Sequence, residues 1–219
     1  MHDHMDTLDV LLKTPAHWIS EGYSHYKDGR FEKALAAYEY AIQLDSNHSP
    51  AYSAKGSALY CLGRYEEALV AYVRAIQHDP SSAYAVRCIG KTCFALNRYT
   101  EAIRALHHAI ELEPNNSANY CSLGDVFSEL NRNEEALNAY AQALRFDPSS
   151  AITYNNMGLL LERMQHYPEA LRSYDRAIVL EPNEGLYYYN KSVVLARLGR
   201  LEETKLSYEK AQQLGYKEL

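Results

Sequence analysis

One spacing dominates this sequence: alanine recurs every 34 residues, at Ala34, Ala68, Ala102, Ala136 and Ala170. A second ladder, Ala41, Ala75, Ala109, Ala143, Ala177 and Ala211, keeps the same step. Glycine does so at Gly22, Gly56, Gly90, Gly124 and Gly158, and proline at Pro80, Pro114, Pro148 and Pro182. A fixed period of this length means tandem supersecondary units, each unable to bury its apolar face alone and each stacked on the next. Six units occupy residues 15–48, 49–82, 83–116, 117–150, 151–184 and 185–218 without an insertion, behind an N-terminal segment of residues 1–14.

Inside a unit the pattern is that of two helices. In residues 117–150, Tyr120, Leu123, Gly124 and Phe127 lie at i, i+3, i+4 and i+7, one face of a first helix. Asn131-Arg132-Asn133 makes a turn, and Glu134-Glu135 opens a second helix where acidic groups suit the positive end of the dipole. Ala136, Leu137, Tyr140, Ala143 and Leu144 line that helix until Asp147-Pro148 ends it. All seven prolines fall at helix boundaries in this register, with Pro15, Pro50 and Pro168 in first turns. Small residues such as Gly124 and Ala136 let two helix backbones come close.

This series of aromatic, Leu, Gly, Ala, aromatic, Ala and Pro resembles the tetratricopeptide repeat (TPR) family over 204 of the 219 residues. The resemblance implies an all-α solenoid, a right-handed superhelix of antiparallel helix pairs whose concave groove, lined by the first helices, holds partner peptides. The pattern is broken in places. Glu21, Lys55 and Lys191 stand where the family has Leu, Ser192 replaces Gly, Thr204 replaces Ala, and Ser46 replaces Pro.

No nucleotide, hydrolase or metalloprotease motif occurs, and outside the repeats only residues 1–14 and Leu219 remain. A catalytic domain is therefore not expected, and neither is a cofactor. His2-x-His4 and His107-His108 come without further ligands at site-forming spacing, so no metal centre is expected. Charges sum to −6, with 22 Lys and Arg against 28 Asp and Glu, which disfavours nucleic acid. No apolar run is long enough for a membrane span. Cys61, Cys88, Cys93 and Cys121 show no CxxC pair, which fits a reduced, cytoplasmic protein. The expected function is a protein–protein interaction scaffold or adaptor that binds a peptide segment or partner surface. The alternative is a self-associating, homo-oligomeric subunit or an assembly factor of a larger complex, such as a pilus or secretion apparatus.

The chain holds 20 Tyr against 4 Phe and 1 Trp. Tyr38, Tyr72, Tyr140, Tyr174 and Tyr208 share one repeat position, and Tyr52, Tyr120, Tyr154 and Tyr188 continue a series begun by Trp18; both series read as core. Tyr23, Tyr26 and Tyr60 fall at first-helix positions that the resemblance turns toward the groove, where amphipathic rings suit peptide binding. Positions 2, 5, 6, 9, 12 and 13 of each unit form that inward set. Its charges are Lys27, Arg87, Lys91, Arg163 and Arg197 against Asp125, Glu129 and Glu162, a cationic surface on an acidic chain. Such a surface suits a partner with acidic residues. Arg87 and Lys91 share a helix face, with Asp125 at the position of Lys91 one repeat on, where it could neutralise it. The five-residue set that grips chaperone tails in some members is not reproduced. Asn155, Asn156 and Asn190 supply groove amides and resemble a short version of the asparagine ladder with which some members hold a ligand's backbone.

At the ends, Leu8, Leu11 and Leu12 recur at helical spacing behind Asp6 and Thr7, and a short helix there is expected to shield the first repeat. Positions apolar in five units become Lys205 and Gln212 in the sixth, as expected of a terminal repeat, with Gly215 as its C′ residue.

Overall fold

Every repeat must turn its chain back twice in 34 residues, and both reversals have a local cause. The computed structural model describes residues 14–217, and the expected helix over Leu8–Leu12 lies outside them. Among the described residues there are twelve helices and no strand, packed as adjacent antiparallel pairs. The chain divides into two compact units, Met1–Pro114 and Asn115–Leu219. Unit 1 holds α1 (Pro15–Lys27), α2 (Phe31–Leu44), α3 (Ser49–Cys61), α4 (Tyr65–His78), α5 (Ala83–Ala95) and α6 (Tyr99–Leu112). Unit 2 holds α7 (Ser117–Glu129), α8 (Asn133–Phe146), α9 (Ala151–Arg163), α10 (Tyr167–Leu180), α11 (Gly185–Arg197) and α12 (Leu201–Gln213).

The turn inside each pair passes through a left-handed residue: Gly29, Gly63, Asn97, Asn131, Gln165 or Gly199, with φ between 56° and 72°. Glycine and asparagine tolerate this region, and only Gln165 is an unusual occupant. The turn between pairs is set by capping: Thr14, His48, Ser82, Asn116, Ser150 and Glu184 each accept a backbone N–H with the side chain. Gly215, at φ 86°, follows the last residue of α12's final turn as expected.

The paired small and aromatic positions form the core of each repeat. A Cβ built on Gly158 would lie 2.6 Å from the Cε1 of Tyr174, and Gly22, Gly56 and Gly124 stand in the same relation to Tyr38, Tyr72 and Tyr140. Each of those four rings is buried to 2% exposure or less. In the third repeat Leu106 replaces the ring and meets Gly90. In the sixth, Ser192 supplies the Cβ, and Tyr208 is only half-buried, short of the full burial the spacing suggests. The second aromatic series, Trp18 apart, is only half-buried, short of the core placement the spacing suggests. Trp18 is buried and stacks on Tyr40, whereas Tyr52 and Tyr120 are half-buried and stack on His78 and Phe146. Cys93 is buried, and burial pushes its thiol pKa up.

Two of the departures from the repeat pattern are each met by an acid of the preceding repeat. Lys55 Nζ meets Glu39 Oε1 of the preceding repeat at 2.8 Å, and Lys191 Nζ meets Asp175 Oδ1 at 2.6 Å. At two other junctions the equivalent residues are apolar, Val73 with Ile89 and Ala141 with Met157. Glu21, the third departure, lies 3.3 Å from His17 on its own helix. On α12, Lys205 and Gln212 are exposed, and so are Leu201 and Leu206.

Candidate interaction surfaces

In unit 1, the first helices α1, α3 and α5 bring together most of the aromatic candidates. Tyr23, Tyr26 and Tyr84 line a cavity of about 330 Å³ with Tyr38, Pro50 and Ala54. Its room comes from α3, where Ser49, Ser53 and Ser57, spaced at i, i+4 and i+8, present small side chains along one line. That serine stripe is the part a reading for aromatic and charged residues misses. The spacing of the serines was the available signal.

A smaller cavity of about 110 Å³ shares the walls Tyr26, Ser57 and Tyr84 and adds Tyr60, Tyr72, Arg87, Cys88 and Lys91. The Arg87 guanidinium lies 5.4 Å from the Tyr84 ring centre, and Lys91 Nζ lies 5.8 Å from that of Tyr60. Lys27 stands over Tyr23 at 5.8 Å. The Tyr26 hydroxyl and Cys61 Sγ are 3.2 Å apart, and this bond, with burial, raises the tyrosine's pKa. Burial raises those of Tyr60 and Tyr84 as well. Of the inward charged set, unit 1 thus carries Lys27, Arg87 and Lys91 and no acid.

Unit 2 carries the others. The Tyr140 hydroxyl donates to Asp125 Oδ1 at 2.8 Å, and Asn156 Nδ2 donates to the same oxygen at 2.9 Å. Burial first, and then the Asp125 carboxylate, push the pKa of Tyr140 up. Asn190 donates to Asn155 Oδ1 at 2.8 Å, and Asn155 donates weakly to Asn156 at 3.4 Å. Asn155 and Asn190 are only 4% and 7% exposed, so the amides expected to face a ligand are spent on one another. Arg163 donates to the Ser128 carbonyl and, at 2.8 Å, to its hydroxyl. Arg197 is exposed at the end of α11, and His107 and His108, on α6 of unit 1, are exposed as well. No described helix is long and apolar enough to cross a membrane.

No curated protein matches the sequence. Among solved structures, an anaphase-promoting-complex hetero-tetramer, Cut9–Hcn1, matches at TM-score 0.84 and 15% identity. The match covers 94% of this chain but only 41% of that one. Pseudomonas aeruginosa pilF matches at TM-score 0.74 and 19% identity over 91% of this chain and 96% of the other. YrrB, described as a TPR protein with an unusual peptide-binding site, matches at TM-score 0.56 and 22% identity over 82% and 92%. At these identities they establish the fold. Tetratricopeptide-repeat family models match residues 19–85, 151–184 and 186–214, and a TPR-repeat model matches 90–130 and 124–165. With the 34-residue units and their antiparallel helix pairs, these matches make the chain a member of the tetratricopeptide repeat family.

Proposed function

We propose that the chain is a non-enzymatic, cytoplasmic interaction scaffold that holds an acidic segment of a partner protein against the first-helix face of unit 1. The observation that carries this reading is the pairing of an aromatic-lined cavity of about 330 Å³ with Arg87 and Lys91, neither of which enters an ion pair among the described residues. Rigid rings supply contact area at small entropic cost, and unopposed cations favour an acidic approach. The unit 2 residues are less suited, because Asp125, Asn155, Asn190 and Arg163 are already bonded within the unit. The YrrB description, a TPR protein with a peptide-binding site, agrees with this type of role.

The test is affinity capture from the source lysate by the wild-type chain and by Arg87→Glu with Lys91→Glu, each read by mass spectrometry. Specific partners lost from the folded double variant, with unchanged circular dichroism, are the expected result. Full retention of every partner would place binding elsewhere. Light scattering separates this reading from self-association, which would give a mass above 25.0 kDa.

A further inference from the structure

The two cavities of unit 1 are adjacent, sharing Tyr26, Ser57 and Tyr84, yet their chemistry differs. The larger is walled by rings and small side chains, and its one acid, Asp79, already accepts from the Ser81 N–H at 3.1 Å and hydroxyl at 2.7 Å. The smaller has no acid in its wall. Its hydroxyls can be accounted for proton by proton. Ser57 Oγ donates to the Ser53 carbonyl at 3.0 Å, so the hydroxyls of Tyr72, at 3.1 Å, and Tyr84, at 3.0 Å, donate to Ser57. Tyr26 is engaged with Cys61. What remains, with no protein acceptor among the described residues, is the half-buried Arg87, the exposed ammonium of Lys91 and the half-buried hydroxyl of Tyr60. An anionic oxygen is the acceptor that bonds such charged donors most strongly.

Resting on the scaffold reading above, we infer that this face recognises a two-point motif in an extended partner segment. A large apolar or aromatic side chain enters the larger cavity, and an Asp or Glu carboxylate two residues away is held by Arg87, Lys91 and Tyr60. The spacing follows from the shared walls: side chains at i and i+2 of an extended segment lie on one side, roughly 6.5–7 Å apart. The apolar residue anchors, and the carboxylate fixes register.

The test is selection of random dodecapeptides displayed on phage against the full chain. The best peptide is then synthesised with its acid, with the matching amide, with the acid moved by one residue, and with the apolar residue as Ala. Fluorescence anisotropy is expected to show at least a tenfold loss for the amide and for the shifted acid on the wild-type chain. On Arg87→Met with Lys91→Met the acid and amide peptides should bind alike. Tyr23→Ala, at a ring 58% exposed, should weaken all peptides while preserving the acid-to-amide ratio. Equal binding of acid and amide to the wild-type chain overturns the motif and leaves the scaffold reading standing. A selection that yields no peptide sensitive to Arg87→Met with Lys91→Met or to Tyr23→Ala overturns both.

Discussion

Replacing Gly158 by Ala should destabilise the protein although alanine is the better helix former. The added Cβ would stand 2.6, 2.8 and 3.0 Å from Cε1, Cδ1 and Cζ of Tyr174, where carbon pairs are content at about 3.5–4.0 Å. The ring must therefore withdraw by about 1 Å, and at 0% exposure it has no open space to withdraw into. Overpacking of this kind costs about 1–3 kcal/mol, against a propensity gain of about 1 kcal/mol, for a net loss of about 1 kcal/mol. Tyr174→Ala removes the obstacle at its own cost of about 3–5 kcal/mol. In that background Gly158→Ala should stabilise by about 1 kcal/mol, so the effect changes sign and the coupling is about 2 kcal/mol. Urea unfolding of the four proteins, followed by circular dichroism, measures the cycle. The sixth repeat points the same way, since Ser192 already carries a Cβ and its partner Tyr208 is only half-buried. If Gly158→Ala stabilises equally in both backgrounds, the glycine–ring contact does not hold the pair together.

Three further outcomes are expected. Asn190→Ala leaves the Asn155 carbonyl without its 2.8 Å donor in a buried site, and a loss of about 1–3 kcal/mol should appear in the same unfolding assay. Gln165→Gly removes a non-glycine residue from φ 62° and should raise stability by about 1 kcal/mol, read as a shift in the urea midpoint. Glu67, Glu101, Glu135 and Glu203 each accept from an Arg three residues earlier, and that hydrogen bond lowers their pKa below the usual carboxylate value. A depressed folded-state pKa contributes stability above the unfolded-state value near pH 4.5 that is lost as pH falls through the folded-state value. Replacing all four by Gln should therefore flatten the acid limb of a Tm-against-pH curve without moving its alkaline side. An unchanged acid limb would mean that these exposed pairs contribute nothing.

The repeat and its helices were legible because a single turn of sequence had to serve six times. The positions of glycine against tyrosine, the prolines and the left-handed turn residues all recur with the period. What spacing could not convey was which partner each polar side chain would choose. Asn156 and Asn190 share a repeat position, yet Asn190 bonds Asn155, because the stagger between successive first helices brings different positions into register. Lys55 and Lys191 look like defects in a leucine position until Glu39 and Asp175, sixteen residues earlier in each case, are read with them. The summed charge of the inward positions concealed its distribution, with Lys27, Arg87 and Lys91 on unit 1 and every acid on unit 2. The serine stripe carries neither charge nor ring, because a cavity is made by what is small.

Backbone amide chemical-shift mapping tests most directly the claim that unit 1 is the binding surface. The isotope-labelled chain would be titrated with the selected acidic dodecapeptide. The account predicts perturbations concentrated on α1, α3 and α5, at Tyr23, Tyr26, Ser57, Tyr60, Tyr84 and Arg87, that vanish for Arg87→Glu with Lys91→Glu. Perturbations confined to α7–α12, or persisting unchanged in that double variant, would contradict it.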